Sequence, residues 1–220
     1  MTESAPLAPL TRTRTTAPLL GAIAFLACYL AVDVAAGAVA TGTMPLPGDS
    51  PDAVYDYLRA NTTASILTGV LQGLSVLGLA VVVAGPATRV GGRRRAAAAI
   101  GAVAVAAMLL SAGLSITTGL VAPSASADTV VALLNAGFYA GGAAHVVALG
   151  LFVLVLTGGD AWTRPVRVTG RIAGVPAVLS VLSLLWFYAS PLLPVGRLLC
   201  MVALVVVGAS LARGASPRTR

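Results

Sequence analysis

The stretch that decides the fold runs from Ala64 to Arg95 and reads ASILTGVLQGLSVLGLAVVVAGPATRVGGRRR. Its first part, Ala64 to Ala84, carries no charge and matches the roughly 20 residues that a helix needs to cross the hydrocarbon core of a bilayer. Arg89 and then Arg93 to Arg95 follow this apolar run. An apolar run followed by a basic cluster is typical of a transmembrane helix that ends on the cytoplasmic side.

The composition of the whole chain extends this interpretation. Hydrophobic residues make up 58% of the 220 residues and charged residues 10%, whereas ordinary soluble domains carry roughly 25% charged residues. A water-soluble fold has no means of burying so much apolar surface, so the sequence predicts an all-α, polytopic membrane protein. The apolar runs give six spans: Pro18–Ala40, Ala64–Ala84, Ala97–Val121, Val130–Thr157, Ile172–Ala189 and Val195–Ala212.

The distribution of charge predicts the orientation of these spans. With six spans, 12 of the 14 basic residues fall on one side, and only Arg59 and Arg197 fall on the other. The positive-inside rule then places both termini in the cytoplasm, so we expect a multi-pass protein of a bacterial plasma membrane. The predicted layout is a tail over 1–17, a transmembrane domain over 18–212 with an outer loop over 41–63, and a tail over 213–220. The arginines lie in clusters between spans rather than along one face, which argues against nucleic acid as a partner.

A second interpretation concerns the first span. Arg12 and Arg14 precede an apolar stretch that ends in Ala38-Val39-Ala40, a pattern that resembles a secretory signal peptide and its cleavage site. The stretch is longer than the usual core of a signal peptide, and its removal would leave five spans. We therefore favour a retained first helix.

The outer loop and the ends of the spans carry further signals. Ser50-Pro51-Asp52 predicts the start of a short surface helix, with Ser as the N-cap and Pro at the first helical position. Tyr55 and Leu58 of this helix are expected to rest at the membrane interface. Trp162, Trp186 and Tyr188 lie near predicted boundaries, where aromatic anchors are common.

Asp33 is the only acidic residue inside a predicted span. Because an ionised group in hydrocarbon costs at least about 2.5 to 3.5 kcal/mol, we expect it to point into the bundle and to find a partner there. Helical rise places Gln72 and Tyr139 at a similar depth. The resulting candidate polar layer consists of Asp33, Gln72, Ser115, Asn135, Tyr139, His145 and Arg197.

Three roles remain open for this layer. It could be an outward-facing cavity in which Asp33 binds a proton or cation, it could be a sealed set of structural hydrogen bonds, or Asp33 could pair with Arg197. His145 is the only histidine, and a lone imidazole is more often an interhelical hydrogen-bonding group than a metal ligand. We predict no metal, no cofactor and no catalytic residue, since the sequence lacks the common nucleotide-binding and metalloprotease motifs.

The layout of the chain resembles the bacterial six-helix membrane proteins grouped as domain of unknown function 4386. Three short stretches carry the resemblance: residues 47–53 (PGDSPDA), His145 with Leu149-Gly150, and Arg171-Ile172-Ala173-Gly174. The resemblance implies a fold class only, because that family has no established activity. The low aromatic content of this chain, 5%, departs from the pattern.

Three functions are compatible with these observations. The first is a non-catalytic structural, accessory or sensory membrane component that contacts the lipid bilayer and either a partner membrane protein or a second copy of itself. The second is a small proton-coupled carrier or permease that uses Asp33. The third is a membrane-embedded enzyme that acts on a lipid-like substrate.

Overall fold

The computed structural model describes residues 15–45, 50–85, 93–160, 162–186 and 189–214. Within these ranges the chain is helical, without strands. The α-helices are α1 (Ala17–Val39), α2 (Pro51–Ala60), α3 (Thr62–Ala84), α4 (Arg94–Val121), α5 (Ala127–Phe138), α6 (His145–Thr157), α7 (Arg164–Leu179) and α8 (Leu192–Ala212). A π-helical turn, Tyr139–Ala144, joins α5 to α6, and a 3₁₀ segment, Ser180–Leu184, extends α7. In the part of the chain that the structure describes, six helical stretches are long and apolar enough to span a membrane, which confirms the predicted number.

The packing of α1 on α3 depends on two glycines. A Cβ atom built on Gly21 would lie 2.7 Å from the carbonyl oxygen of Gly78, and one built on Gly78 would lie 2.6 Å from the amide nitrogen of Phe25. Side chains larger than hydrogen would therefore separate the two backbones. The Ser75 hydroxyl also donates a hydrogen bond across this contact to the Phe25 carbonyl, at 2.7 Å. This contact fixes which face of α1 points into the bundle.

The fourth span is a single stretch interrupted at its middle. The π-helical turn Tyr139–Ala144 contains one more residue than an α-helix accommodates in the same rise, and it therefore changes the hydrogen-bonding pattern of the backbone. The predicted start at Val130 is three residues late, because α5 begins at Ala127 after the Ser126 N-cap. The interruption itself was not predicted.

The fifth span differs most from the prediction. The helix begins at Arg164 rather than Ile172, so Pro176 lies in the helix interior and not in its first turns. Proline lacks the amide hydrogen that an internal turn needs. The helix changes to 3₁₀ geometry at Ser180, four residues after this proline, and ends at Leu184, short of the predicted Ala189.

The aromatic residues near the span boundaries have different environments. The Trp162 side chain is buried, and its Nε1 donates to the Leu156 carbonyl oxygen at 2.7 Å. Trp162 is therefore a packing residue rather than the interface anchor predicted for it. Trp186 is exposed just after the 3₁₀ segment, and Tyr188 lies outside the described residues.

The helix predicted in the outer loop is present as α2. The Ser50 hydroxyl accepts a hydrogen bond from the Ala53 amide at 3.2 Å, as expected of an N-cap. Its apolar face contacts protein: Leu58 is buried against Ala122 and Val130, and the Tyr55 hydroxyl donates to the Ala125 carbonyl at 3.1 Å. Tyr55 and Leu58 therefore contact α5 and the turn between α4 and α5, and their position at the membrane interface stays a prediction.

The bundle thus has two chemically different ends. One end, which we call the arginine end, carries seven of the nine described arginines: Arg93, Arg94, Arg95, Arg164, Arg167, Arg171 and Arg213. Of the other two, Arg59 lies on α2 and Arg197 on α8. The opposite end, which we call the α2 end, is covered by α2 and by the turn that joins α4 to α5.

Candidate functional site

A cavity of about 580 Å³ lies inside the bundle, in the half nearer the α2 end. Its wall is mainly apolar and includes Met108, Leu134, Phe138 and Leu193. Several polar side chains interrupt this apolar wall: Tyr29, Ser65, Gln72, Ser115, Ser183 and Arg197. A volume between roughly 300 and 1,000 Å³, with a few polar groups in an apolar wall, is typical of sites for small molecules.

Among the described residues, Arg197 is the only charged one in the cavity wall. One of its terminal nitrogens donates a hydrogen bond to the carbonyl oxygen of Gly141 in the π-helical turn. The carbon of its guanidinium group lies 5.2 Å from the centre of the Tyr29 ring, within the range of a cation–π interaction. Its Nε is buried and has no hydrogen-bond partner. The guanidinium group is therefore held in place while donor capacity remains free.

The expected pairing of Arg197 with Asp33 is absent from the structure. In the described ranges the one ion pair with an N–O distance of 4.0 Å or less joins Arg167 and Asp160 at the surface. Asp33 is exposed on the outer face of α1, six residues before the helix ends at Val39. The charge of Arg197 thus has no acidic partner in the part of the chain that the structure describes.

The orientation of Asp33 is a correction to the sequence prediction, which placed it on the inward face with Tyr29. The buried face of α1 runs through Phe25, Tyr29 and Val32. Asp33 follows Val32, and one residue rotates the direction of a side chain by about 100° in an α-helix. The contact of Gly21 and Phe25 with α3 sets this rotation, so Asp33 faces the surroundings of the bundle.

Three hydroxyl groups of the wall already have backbone partners. The Ser111 hydroxyl donates to the Gly137 carbonyl at 2.9 Å, the Ser115 hydroxyl donates to the Ser65 carbonyl at 2.9 Å, and the Thr118 hydroxyl donates to the Leu114 carbonyl at 2.8 Å. These bonds hold neighbouring helices together or satisfy groups within α4. The hydroxyl of Ser115 thus has a structural hydrogen bond even though the residue lies in the wall.

Three buried polar atoms of the wall have no partner: Gln72 Oε1, Ser183 Oγ and Arg197 Nε. Buried polar atoms in proteins are nearly always hydrogen-bonded to protein or ordered water. The three residues line one cavity, so their polar side chains mark the part of its wall where a polar group of a ligand, or water, would bind. Ser183 was not predicted, because nothing in the sequence distinguishes it from the other serines in apolar runs.

His145 lies apart from the cavity wall. Its Nδ1 is 2.8 Å from the carbonyl oxygen of Ala104 on α4, and its ring meets the Phe25 ring edge-on with 6.2 Å between centroids. A carbonyl only accepts, so Nδ1 is the donor and the ring makes the interhelical hydrogen bond that the sequence predicts. Its Nε2 is buried without a partner.

Asn135 and Tyr139 do not join the cavity either. Both side chains are exposed on the outside of the fourth span. Tyr139 lines a separate apolar groove between α4, α6 and the 3₁₀ segment. Of the seven residues in the predicted polar layer, the cavity brings together Gln72, Ser115 and Arg197, and it leaves out Asp33, Asn135, Tyr139 and His145.

The cavity reaches the outer surface of the bundle beside α5. In the described part of the chain, α5 packs mainly on α2 and α4, whereas α8 packs mainly on α1, α6 and α7. Phe138 and Pro194 line the cavity from the two sides of this gap, and both are exposed. This side of the cavity wall therefore lies at the outer surface of the bundle.

Two further observations complete the description of the site. The described residues contain no group of three or more His, Cys, Asp or Glu side chains placed to hold a metal ion. Searches of protein-family models, of curated proteins and of solved structures find no match to this chain.

Proposed function

We propose that this chain is a non-catalytic sensory or accessory membrane protein that binds a small amphipathic molecule in the cavity beside Arg197. The observation that carries the proposal is that one mainly apolar cavity is lined by the cation Arg197 and by Gln72 and Ser183, three residues that each have a buried polar atom without a partner. The proposed setting is a bacterial plasma membrane, with the arginine end in the cytoplasm. A partner membrane protein, or a second copy of the chain, would receive the signal of ligand binding.

We expect a ligand in this cavity because leaving these polar atoms unpaired costs free energy. An unsatisfied buried donor or acceptor costs about 1 to 3 kcal/mol, and more when the group is charged. Three unpaired polar atoms around an apolar space do not contribute to the stability of the fold. A ligand with a polar head and an apolar body would satisfy both parts of the wall.

A second candidate is a carrier that uses this cavity, and one observation favours it. Two spans depart from α-helical geometry beside the cavity: the fourth is interrupted by the π-helical turn that contains Gly141, and the fifth ends in the 3₁₀ segment that contains Ser183. Substrate sites of secondary transporters are commonly formed by interrupted helices. In this version Arg197, and not Asp33, contacts the substrate.

The enzyme alternative receives no comparable support. Asp33 and Tyr139 are exposed on the outside of the bundle, and His145 is buried away from both exposed faces. The resemblance to domain of unknown function 4386 stays a proposal about kinship and adds no activity.

The proposal is tested by thermal unfolding of the purified full chain in a neutral detergent, with a panel of acidic, basic and neutral amphiphiles. A ligand that binds the folded state raises the unfolding temperature, by an amount equivalent to about 2.7 kcal/mol at a hundred times its Kd. We expect at least one class to stabilise the wild type and to lose that effect in Arg197→Gln. Asp33→Asn is the matched control, because it also neutralises an intramembrane charge but lies outside the cavity. If no amphiphile distinguishes wild type from Arg197→Gln, the proposed function is wrong.

A further inference from the structure

The chemistry of the cavity wall specifies the ligand further. We infer that the ligand is a single-chain amphipathic oxyanion, with a carboxylate as its head group, bound with that head at Arg197. The inference rests on the proposed function, since it concerns the same cavity.

The charge of the wall determines the sign of the head group. Arg197 is the only charged side chain in the wall, and it has no acidic partner within the described ranges. A cationic ligand would meet a like charge in surroundings where charge is poorly screened. An anionic head neutralises the buried cation and gains charge-assisted hydrogen bonds, which are roughly twice as strong as neutral ones.

The polar groups of the cavity wall match an oxyanion. Guanidinium carries five N–H donors in a rigid fork that suits the two oxygens of a carboxylate. The Gly141 carbonyl occupies a donor of one terminal nitrogen, and Nε remains unpaired. Ser183 provides a hydroxyl without a partner, and the Gln72 side chain ends in an amide whose oxygen is unpaired. A protonated acid could donate to that oxygen, and an ionised acid accepts from the hydroxyl and the guanidinium group.

The remaining wall fits one apolar chain. Met108, Leu134, Phe138 and Leu193 provide apolar surface on several sides of the cavity. Its volume of about 580 Å³ lies within the range for small ligands. The gap between Phe138 and Pro194 faces the region where the apolar helices are exposed, so a lipid-soluble acid can enter from the side.

Head-group-matched ligands of equal chain length test the inference. The full chain is placed in detergent micelles of a neutral maltoside, and decanoate, decyl phosphate, decanol and decylamine are compared by the rise in unfolding temperature, with binding isotherms for those that stabilise. We expect decanoate to bind at least about tenfold more tightly than decanol or decylamine, since one charge-assisted contact is worth that factor or more. We expect Arg197→Gln to remove this preference and Arg197→Lys to keep part of it, because the positive charge remains without the guanidinium fork.

The possible results distinguish a failure of the head-group inference from a failure of the proposed function. Binding of decyl phosphate that is stronger than that of decanoate and depends on Arg197 would overturn the carboxylate head group, and it would assign the oxyanion site to phosphate-bearing lipids rather than free acids. Equal binding of decylamine or decanol would overturn the inference and leave the proposed function intact. Binding of none of the four, together with no hit in the wider panel, would overturn both.

A second measurement covers the case in which the Arg197 variants fold poorly. A photoreactive decanoate analogue with a diazirine near its methyl end is cross-linked to the wild-type chain, and the labelled peptides are identified by mass spectrometry. We expect label on residues around Leu134, Phe138 and Leu193, with competition by excess decanoate and not by decylamine. Label confined to outward residues such as Leu30 and Val34 of α1 would contradict the inference, because these side chains face the detergent or lipid.

Discussion

Two charged residues inside predicted spans, Asp33 and Arg197, have opposite surroundings in the structure. Asp33 is exposed on the outer face of α1, whereas Arg197 lines the cavity and contacts Tyr29 and Gly141. An ionisable residue inside a membrane span marks a candidate functional site, and both Asp33 and Arg197 meet this criterion. What decides between them is the rotation of each helix about its axis, and this rotation is set by contacts with neighbouring helices rather than by the residue itself.

Neutralising Asp33 therefore has a small effect at the residue scale. Asp33→Asn is expected to leave ligand binding unchanged and to leave the free energy of unfolding within about 0.5 kcal/mol of wild type, because the carboxylate has no partner in the described structure and lies at an exposed position. Thermal unfolding in detergent and the amphiphile assay measure both quantities. A loss of binding in a folded Asp33→Asn protein would instead support the proton-coupled carrier.

At the scale of elements, the sequence predicts most of the helices and few of their details. Six spans follow from the length and hydropathy of each run, and the N-cap of α2 follows from a local signal at Ser50. These features depend on residues close together in the chain. The outward rotation of Asp33 depends on the distant contact between Gly21 and Gly78, so the sequence of α1 alone does not contain it.

The irregular segments of the fourth and fifth spans also depend on contacts that the local sequence does not contain. The π-helical turn, whose Gly141 carbonyl accepts from Arg197, packs on α4, a helix distant from it in the sequence. Pro176 was visible in the sequence, yet its position within the helix depended on a start at Arg164 rather than Ile172. The candidate site was therefore predicted in part: Gln72, Ser115 and Arg197 were identified, and the unpaired Ser183 was not.

The π-helical turn provides a prediction with an internal control. A Cβ atom on Gly141 would lie 2.7 Å from the Ser111 Cβ on α4, so Gly141→Ala forces the fourth span away from α4. Such overpacking costs about 1 to 3 kcal/mol, and we expect a clear fall in unfolding temperature. Gly142→Ala is the matched control, since its Cβ would meet only the Phe138 ring at 3.5 Å, an ordinary contact. Equal loss of stability in both variants would contradict this account and point to a general effect of replacing glycine.

At the scale of the whole molecule, the first helix is an integral part of the bundle. Ala22 and Phe25 of α1 are fully buried in the core, and Tyr29 contacts the guanidinium group in the cavity. If α1 were cleaved as a signal peptide, the core would lose buried apolar surface and Arg197 would lose an aromatic partner. The packing therefore supports the interpretation in which the first span is retained.

The orientation of the bundle in the membrane gives the last prediction. Because arginines cluster at the arginine end, the positive-inside rule predicts that this end is cytoplasmic and that α2 lies outside the cytoplasm. The test uses single-cysteine proteins in a Cys28→Ser, Cys200→Ser background, with Ala60→Cys on exposed α2 or Thr163→Cys at the exposed start of α7.

In intact cells, a membrane-impermeant maleimide is expected to label Ala60→Cys and to label Thr163→Cys only after permeabilisation. The two cysteines serve as controls for each other, since both occupy exposed positions at opposite ends of the bundle. The reverse pattern would place the α2 end, and with it the half of the bundle that contains the Arg197 cavity, on the cytoplasmic side. A ligand that reaches the cavity laterally through the gap at Phe138 would then be drawn from the inner leaflet rather than the outer one, so the labelling result also determines which leaflet supplies the proposed acid.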